Sequence, residues 1–266
     1  MEGNIIRKII NNNGNEIEYY TSNEINEKST LILSMGIWEP AVRALPLIAR
    51  LTGRHCIAIS YRGRGGSSTP KSGFDWSDHI SDLDCVIQIE GINKPVFLGF
   101  SKGVSYMLGY LSKNLKIPHG IIIIDYPAIH SRLEKGEAGV WANMIYNGFK
   151  LDNYVTTQTL EGIENESTYK EFYNDLEKMN CPVWVFRGID SEADISSNLT
   201  DDDILKYKSS IKELEIVNFE HSGHMILDEE LGKAAKEIEG ILDNIDRYLA
   251  KKVKTYEEAI KYIDGQ

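Results

Sequence analysis

The stretch VFLGFSKGVSYMLGYL, residues 96–111, decides the fold class because an apolar run changes there into a helical pattern across a short turn. This change of period predicts a strand that leads directly into a helix. Ser101 lies in the turn, between Gly99 and Gly103, and completes the pattern G-x-S-x-G. The two glycines leave room for a strained backbone that points the hydroxyl away from both elements. Ser101 is therefore either a candidate nucleophile or a helix-capping residue at a turn.

Similar apolar runs recur along the chain and alternate with helical patterns. Residues 5–10 and 16–20 are rich in β-formers and flank the turn signal Asn12-Asn13-Gly14, which predicts an N-terminal hairpin. Continuous apolar runs that alternate with helices predict a mainly parallel central sheet flanked by helices, the α/β class. The predicted strands are residues 29–34, 55–60, 94–100, 120–125, 182–188 and 214–219, and the predicted helices are residues 39–51, 76–90 and 103–116.

The interval between residues 125 and 182 breaks this alternation, because it contains no predicted strand. Its regularly spaced aromatic residues are typical of helices that pack on one another, and equally of a helical lid over a pocket at the carboxyl ends of the strands. We therefore expect an α/β core formed by residues 1–126 and 180–266, with residues 127–179 inserted as a helical lid. The aromatic residues are Trp141, Tyr146, Phe149, Tyr154, Tyr169, Phe172 and Tyr173.

Composition limits the classes of partner and the compartment. The 266 residues carry a net charge of −11 and no basic run, which opposes nucleic acid and favours a small neutral substrate. No apolar window reaches the length of a membrane span, and no export signal is evident, so we expect no membrane attachment. Cys56, Cys85 and Cys181 are far apart in apolar surroundings, which favours reduced core thiols, a cytoplasmic location and no metal site.

A serine nucleophile needs a base and a carboxylate that orients the base. Among six histidines, His221 and His224 follow the last predicted strand, and His224 is preferred because it lies between a glycine and a helix. The loop after residues 182–188 offers Asp190, Glu192 and Asp194. These positions give the chain order serine, acid, histidine, which is the order of one hydrolase class.

Several segments together carry a resemblance to a known family. The chain resembles the α/β-hydrolase fold superfamily from roughly residue 29 to residue 245, with LGFSKG similar to the family's nucleophile elbow. The resemblance implies that Ser101 is the nucleophile and His224 the base. The other segments that match the family are LILSMGIW, IAISYRGRGGSSTP, CPVWVFRGIDSE and SGHMI.

The position of the acidic residue that would orient His224 departs from the family's pattern. Ser191 occupies the position where relatives often have the acidic residue. Relatives with an acidic residue one position later point to Glu192, with Asp190 as the main alternative and Asp194 behind both. Asp125, at the end of the strand at 120–125, is assigned a structural role, because many relatives carry a noncatalytic aspartate there.

The resemblance also implies an oxyanion hole made by the backbone N–H groups of Ile37 and Lys102. The loop that holds Ile37 is short and has Met35 where the family usually has histidine. The side chain of Lys102 is expected to be solvated. Arg62 and Arg64 are expected to organise their loop through hydrogen bonds to carbonyl groups.

From these residues we expect a cytoplasmic, carboxylesterase-like serine hydrolase. It would act on a small acyl substrate and need no cofactor or metal. Two alternatives use the same residues. One is a C–C bond hydrolase or a haloperoxidase-like enzyme, and the other is a small-molecule receptor that retains the triad.

Overall fold

The computed structural model describes residues 4–264, with side chains described for residues 4–255. Residues 1–3 and 265–266, which the predicted core includes at its two ends, lie outside this range. Within it, no helix has the length and apolar character needed to cross a membrane.

Eight strands form one sheet in the order β1-β2-β4-β3-β5-β6-β11-β12. β1 and β2 form the predicted antiparallel hairpin, and β2 joins β4 in antiparallel orientation. The remaining neighbours are parallel, so the predicted α/β class is confirmed. The strands are β1 (Ile5–Asn12), β2 (Asn15–Ser22), β3 (Leu31–Ser34), β4 (Cys56–Ile59), β5 (Val96–Phe100), β6 (Gly120–Ile124), β7 (Ile129–His130), β8 (Ile145–Tyr146), β9 (Phe149–Lys150), β10 (Lys170–Glu171), β11 (Val183–Gly188) and β12 (Leu214–Phe219).

Helices cover both faces of the sheet. The segment predicted as one helix over residues 39–51 forms only a 3₁₀ turn and the short helix α1, because Pro46 has no backbone N–H to continue a longer helix. The helices are α1 (Leu45–Ile48), α2 (Trp76–Glu90), α3 (Gly103–Lys113), α4 (Glu137–Asn143), α5 (Thr157–Glu166), α6 (Tyr173–Leu176), α7 (Asp201–Ser210), α8 (Ile226–Glu229) and α9 (Leu231–Asp264).

The central strands bury side chains on both faces, which explains their continuous apolar sequences. Alternate residues of one strand enter two different cores. Leu31 and Leu33 of β3 pack in the core that includes Leu242 of α9, whereas Ile32 packs in the core that includes Leu83 of α2. The central strands are therefore covered on both faces, and the carboxyl edge of the sheet can hold side chains in fixed positions.

The cysteines are free. Cys56 and Cys181 are buried, as predicted for core thiols, but Cys85 is only partly buried on α2.

The chain between β6 and β11 contains α4, α5 and α6, together with two pairs of short strands. The prediction of an interval without strands is wrong, because β7 pairs with β10 and β8 pairs with β9. Asn147 and Gly148 join β8 to β9 with positive φ angles of 50° and 79°. An Asn-Gly pair adopts these angles readily and is a strong hairpin signal, so this turn was present in the sequence.

The aromatic residues of this interval divide between packing and exposure. Phe172 and Tyr173 are buried in the core against α3 and α7 elements, whereas Phe149 and Tyr169 are more than half exposed. Trp141 packs against Trp38 of the main body, with ring centroids 5.3 Å apart. The interval therefore packs into the core through Phe172 and Tyr173, and contacts the carboxyl edge of the sheet through Trp141.

Candidate active site

Ser101 lies in a sharp turn between β5 and α3. Its φ angle is 53°, in the left-handed region that a non-glycine residue occupies at a cost of about 1–3 kcal/mol. The turn is fixed to the neighbouring strand, because the backbone N–H of Ser101 donates to the carbonyl of Ile124 at 3.2 Å. The strand, strained turn and helix form the geometry that the G-x-S-x-G pattern predicts.

The two glycines of the pattern are required by close backbone contacts. A Cβ atom on Gly103 would lie 2.1 Å from the carbonyl oxygen of Ser34 and 2.4 Å from that of Met35. A Cβ atom on Gly99 would lie 2.7 Å from Cα of Val104. Any larger residue at either position would push α3 away from the sheet.

We expect Gly103→Ala to lower the free energy of unfolding by about 3 kcal/mol, because the contacts that its methyl group meets are backbone atoms that cannot move aside. Urea denaturation followed by circular dichroism measures this change. Gly139→Ala in α4 is the matched control, because a Cβ atom there meets nothing within 4 Å and alanine is the better helix former. Equal urea midpoints for Gly103→Ala and the unmodified protein would contradict the close contact.

His224 approaches Ser101 from the loop after β12. Its Nε2 atom lies 2.9 Å from Oγ of Ser101. The imidazole is buried, stacks on the ring of Phe100 at a centroid distance of 5.2 Å, and its backbone N–H donates to the carbonyl of Ile195 at 2.8 Å. His221 is exposed, and the structure brings the preferred histidine, His224, to Ser101.

The carboxylate beside His224 is Asp125, not Glu192 or Asp190. Oδ2 of Asp125 lies 2.9 Å from Nδ1 of His224. Asp125 directly follows β6, and β6 pairs with β5 so that Ile124 is opposite Phe100. Asp125 and Ser101 are therefore the first residues beyond two neighbouring strands.

Asp125 is fully buried and accepts hydrogen bonds from three other groups. Oδ1 accepts from the hydroxyl of Ser197 at 2.5 Å and from the backbone N–H of Gly188 at 3.2 Å, and Oδ2 accepts from the backbone N–H of Asn198 at 2.8 Å. A carboxylate only accepts hydrogen bonds, so its two oxygens can satisfy all three donors. Nδ1 of His224 must then carry a proton and donate to Asp125, which leaves the Nε2 lone pair facing Ser101.

The expected acids lie in the same loop but outside this chain of hydrogen bonds. Glu192 is exposed, and Asp190 accepts from the backbone N–H of Glu192 at 2.9 Å. Asp194 is exposed at the rim of the site. The loop contributes Ser197 and Asn198 instead, because it extends past the end of β11 before it turns back towards Asp125.

A cavity of about 580 Å³ opens above Ser101. Its walls combine residues from the main body, such as Trp38, with Leu133, Trp141 and Met144 from the interval between β6 and β11. Such a volume and apolar lining suit a small organic ligand. Among the described residues, we find no cluster of His, Cys, Asp and Glu that could hold a metal ion.

The two expected oxyanion donors lie beside this cavity. Ile37 and Lys102 both line it, and in the described part of the chain no backbone carbonyl accepts a hydrogen bond from either N–H. Gly36 contacts Ser101 closely, since a Cβ atom on Gly36 would lie 3.1 Å from Cβ of Ser101. The loop before Ile37 is therefore next to the hydroxyl of Ser101.

Arg62 and Arg64 organise the neighbouring loop through carbonyl groups, as expected from the sequence. Arg62 donates to the carbonyl of Gly73 at 2.7 Å and pairs with Asp82 at 2.7 Å. Arg64 is completely buried, and its Nε donates to the carbonyl of Ile37 at 3.0 Å. This second bond fixes the peptide that follows Ile37.

Two ionisable side chains near Ser101 are buried, and the sequence predicted neither. Lys102 was expected to be solvated but is only 4% exposed, because the chain after β6 packs over it, and its Nζ donates to the carbonyl of Ser131. Glu39, which the sequence analysis did not single out, is 3% exposed and accepts from the N–H of Gly36 at 3.4 Å. Burial raises the pKa of Glu39 to about 8, although the charge of Arg43 acts in the opposite direction.

Comparison with known proteins shows the fold. No protein-family model matches the chain, and no curated protein matches its sequence. The chain is similar to the structure of an esterase from Exiguobacterium antarcticum at 18% identity, over 90% of this chain and 100% of that chain, with a TM-score of 0.72.

Two further structures give the same result. An esterase from Rhodococcus sp. ECU1013 is similar at 18% identity, over 92% of this chain and 100% of that chain, with a TM-score of 0.72. An N-formylmaleamic acid deformylase from Pseudomonas putida S16 is similar at 19% identity, over 85% and 97% of the two chains, with a TM-score of 0.64. At these identities the likeness establishes the backbone architecture alone.

Proposed function

We propose that this chain, which has the α/β-hydrolase fold, is a serine hydrolase that cleaves small carboxylic esters or related acyl bonds. The observation that carries the proposal is the buried chain of hydrogen bonds from Asp125 through His224 to Ser101, with both distances at 2.9 Å. A serine hydroxyl is a weak nucleophile by itself, and an oriented imidazole is the group that removes its proton as it attacks.

In the proposed reaction, Oγ of Ser101 attacks the acyl carbonyl carbon while Nε2 of His224 takes the hydroxyl proton. Asp125 holds the imidazole in the required tautomer and stabilises the imidazolium that forms. His224 then gives the proton to the leaving alcohol, which leaves Ser101 acylated. Water, activated by His224, hydrolyses this acyl-enzyme and restores the serine.

The carbonyl oxygen becomes negatively charged in both steps and needs donors that are already in position. We assign this role to the backbone N–H groups of Ile37 and Lys102. The position of both residues at the cavity and the lack of a backbone carbonyl partner in the described chain support the assignment. Arg64 supports it further, because it binds the carbonyl of Ile37 and restrains the loop.

We further propose that residues 127–179 act as a lid. Leu133, Trp141 and Met144 belong to this segment and form part of the cavity wall. Trp141 contacts Trp38 across the boundary with the main body, so movement of the segment would change the volume above Ser101.

The free cysteines also favour the cytoplasm as the location.

Labelling with a fluorophosphonate probe tests the proposal. We expect one equivalent of probe per chain on the unmodified protein, attached to Ser101, because the probe reacts only with a serine whose proton has an acceptor. Ser101→Ala should not label, and His224→Ala should label at least about a hundredfold more slowly. Intact-protein and peptide mass spectrometry measure the stoichiometry and the modified residue.

Two results would contradict the proposal. Labelling that persists in Ser101→Ala would assign the nucleophile to another residue. Tight stoichiometric binding of small molecules without labelling or turnover would favour the receptor alternative.

A further inference from the structure

We propose that the cavity above Ser101 contains a subsite for an ionised carboxylate of the substrate, formed by the ammonium group of Lys102 and completed at the rim by Arg132. The inference rests on the proposed hydrolase function and narrows its substrates to small esters that carry a free carboxylate. The net negative charge of the chain favoured a neutral substrate, whereas this subsite favours an anionic one.

Lys102 is a buried lysine that lacks a carboxylate partner. It lines the cavity, is 4% exposed and donates to the carbonyl of Ser131, whereas an ammonium group has three hydrogens to donate. Among the described residues, no carboxylate forms an ion pair with it. Burying an unpaired charge is costly, so a carboxylate bound beside this side chain would stabilise its ammonium form.

The two carboxylates that act on Lys102 from a longer distance are bound to other groups. Asp75 accepts from both the N–H and the hydroxyl of Thr168 at 2.9 Å, and Glu137 accepts from a backbone N–H three residues before it at 2.6 Å. Their attraction for the ammonium group does not offset the effects of burial and of Arg64. Burial, followed by the charge of Arg64, lowers the pKa of Lys102 to about 7.

Arg132 is a second cation at the same cavity. It is exposed at the rim and has no hydrogen-bond or ion-pair partner in the part of the chain that the structure describes. Two acidic residues line the same cavity, Asp194, which is exposed, and Glu137, which is partly buried. Solvent and salt screen these exposed charges strongly and the buried Lys102 much less. Lys102 therefore has the larger effect on the charge of the ligand that binds.

The position of the ammonium defines the shape of the ligand. Ser101 and Lys102 are adjacent and line one cavity, so a single small molecule can present an acyl carbon to Ser101 and a carboxylate to Lys102. Trp38 and Trp141 contribute apolar surface to the wall of the same cavity, which suits a short methylene linker. The substrate class is therefore esters of short dicarboxylic acids that keep one carboxylate free.

A matched pair of substrates tests the inference on the unmodified protein. The pair is the 4-methylumbelliferyl half-ester of adipic acid and the same compound with its free carboxylate methylated. We expect kcat/KM to favour the half-ester by at least about thirtyfold, since a charge-assisted hydrogen bond in a buried site has a net effect of this size. A ratio of one or less would overturn the inference.

Lys102→Met keeps the length of the side chain and the backbone N–H but removes the charge. It should lower the ratio of the two kcat/KM values by at least about tenfold, mainly through KM for the half-ester. Lys116→Met, exposed and outside this cavity, is the control and should leave the ratio within twofold. If Lys102→Met does not fold, Arg132→Gln provides the variant, with an expected rise of about threefold in KM for the half-ester alone.

Binding to Ser101→Ala separates failure of the subsite from failure of the hydrolase proposal. Calorimetric titration with adipate and with dimethyl adipate needs no turnover. Adipate should bind at least about tenfold more tightly, and Lys102→Met on the same background should remove the difference. Equal binding would overturn the subsite even if esters are hydrolysed, whereas selective binding with no hydrolysis of any ester would reject the hydrolase proposal alone.

The pH dependence of the substrate ratio adds an independent readout. The groups that act on Lys102 are Arg64, Asp75, Glu137 and the buried, neutral His130, whose pKa burial lowers to about 2. Because the ammonium is lost as the pH rises through the lowered pKa, preference for the half-ester should fall between about pH 6 and pH 9. A ratio that is constant over this range would show that Lys102 does not bind the carboxylate.

Discussion

Replacing Ser101 by alanine is expected to lower kcat for a short p-nitrophenyl ester by at least about a thousandfold, because no acyl-enzyme can then form. The oxyanion donors and the cavity remain in this variant, so a small residual rate above the solvent reaction is also expected. Because this residual rate is low, stopped assays at enzyme concentrations on the order of 10 μM are needed to measure it. Thermal unfolding should change little, because the hydroxyl is replaced by hydrogen without a change of backbone.

His224→Ala provides the sharper comparison. If Ser101 and His224 act in one proton transfer, the double variant should be no slower than either single variant, since removal of either partner already abolishes the step. Ser209→Ala, exposed on α7, is the control for purification and should retain activity within about twofold. If the reductions in kcat of the two single variants multiply in the double variant, the two residues act independently and the shared proton transfer is rejected.

The sequence predicted the sheet well because its signals are local. Fully buried parallel strands need apolar residues on both faces, so β5 and β6 stand out as continuous runs. The turn at Ser101 was also readable, since glycines on both sides of a serine between a strand and a helix satisfy a local steric requirement. The hairpin of β8 and β9 was missed although Asn147 and Gly148 signal it, because the segment was interpreted by its aromatic spacing alone.

The acid could not be assigned correctly by counting along one loop. Whether Asp125 or Glu192 reaches His224 depends on how the loop after β11 folds back, and Ser197 and Asn198 determine this through their bonds to Asp125. One signal did exist. An aspartate that follows the strand next to the nucleophile strand lies at the same sheet edge, and that relation requires the strand order as well as the sequence.

The burial of Lys102 was not readable for a similar reason. A lysine that follows a turn has no local feature that distinguishes a solvated side chain from one covered by a distant segment. Here Ser131, from the chain after β6, supplies the carbonyl that holds the ammonium group. Long-range contacts of this kind determine the chemistry of the cavity, while local patterns determine the sheet that supports it.

Asp125→Asn is expected to lower kcat by about a thousandfold to ten thousandfold, with a much smaller change in KM. The amide is close in shape to the carboxylate, but its nitrogen would donate to Nδ1 of His224 and favour the tautomer with the proton on Nε2. That tautomer faces Ser101 with a hydrogen atom and cannot accept its proton. Initial rates as a function of ester concentration separate the effects on kcat and KM.

The matched controls are Glu192→Gln and Asp190→Asn, which make the same chemical change at the two acids that the sequence favoured. Both carboxylates lie outside the contacts of His224, so each variant should keep kcat within about threefold. Circular dichroism of Asp125→Asn checks its fold, because three other donors also depend on this carboxylate. A thousandfold loss in Glu192→Gln beside an active, folded Asp125→Asn would reverse the assignment, because only the carboxylate that orients the imidazole can have an effect of that size.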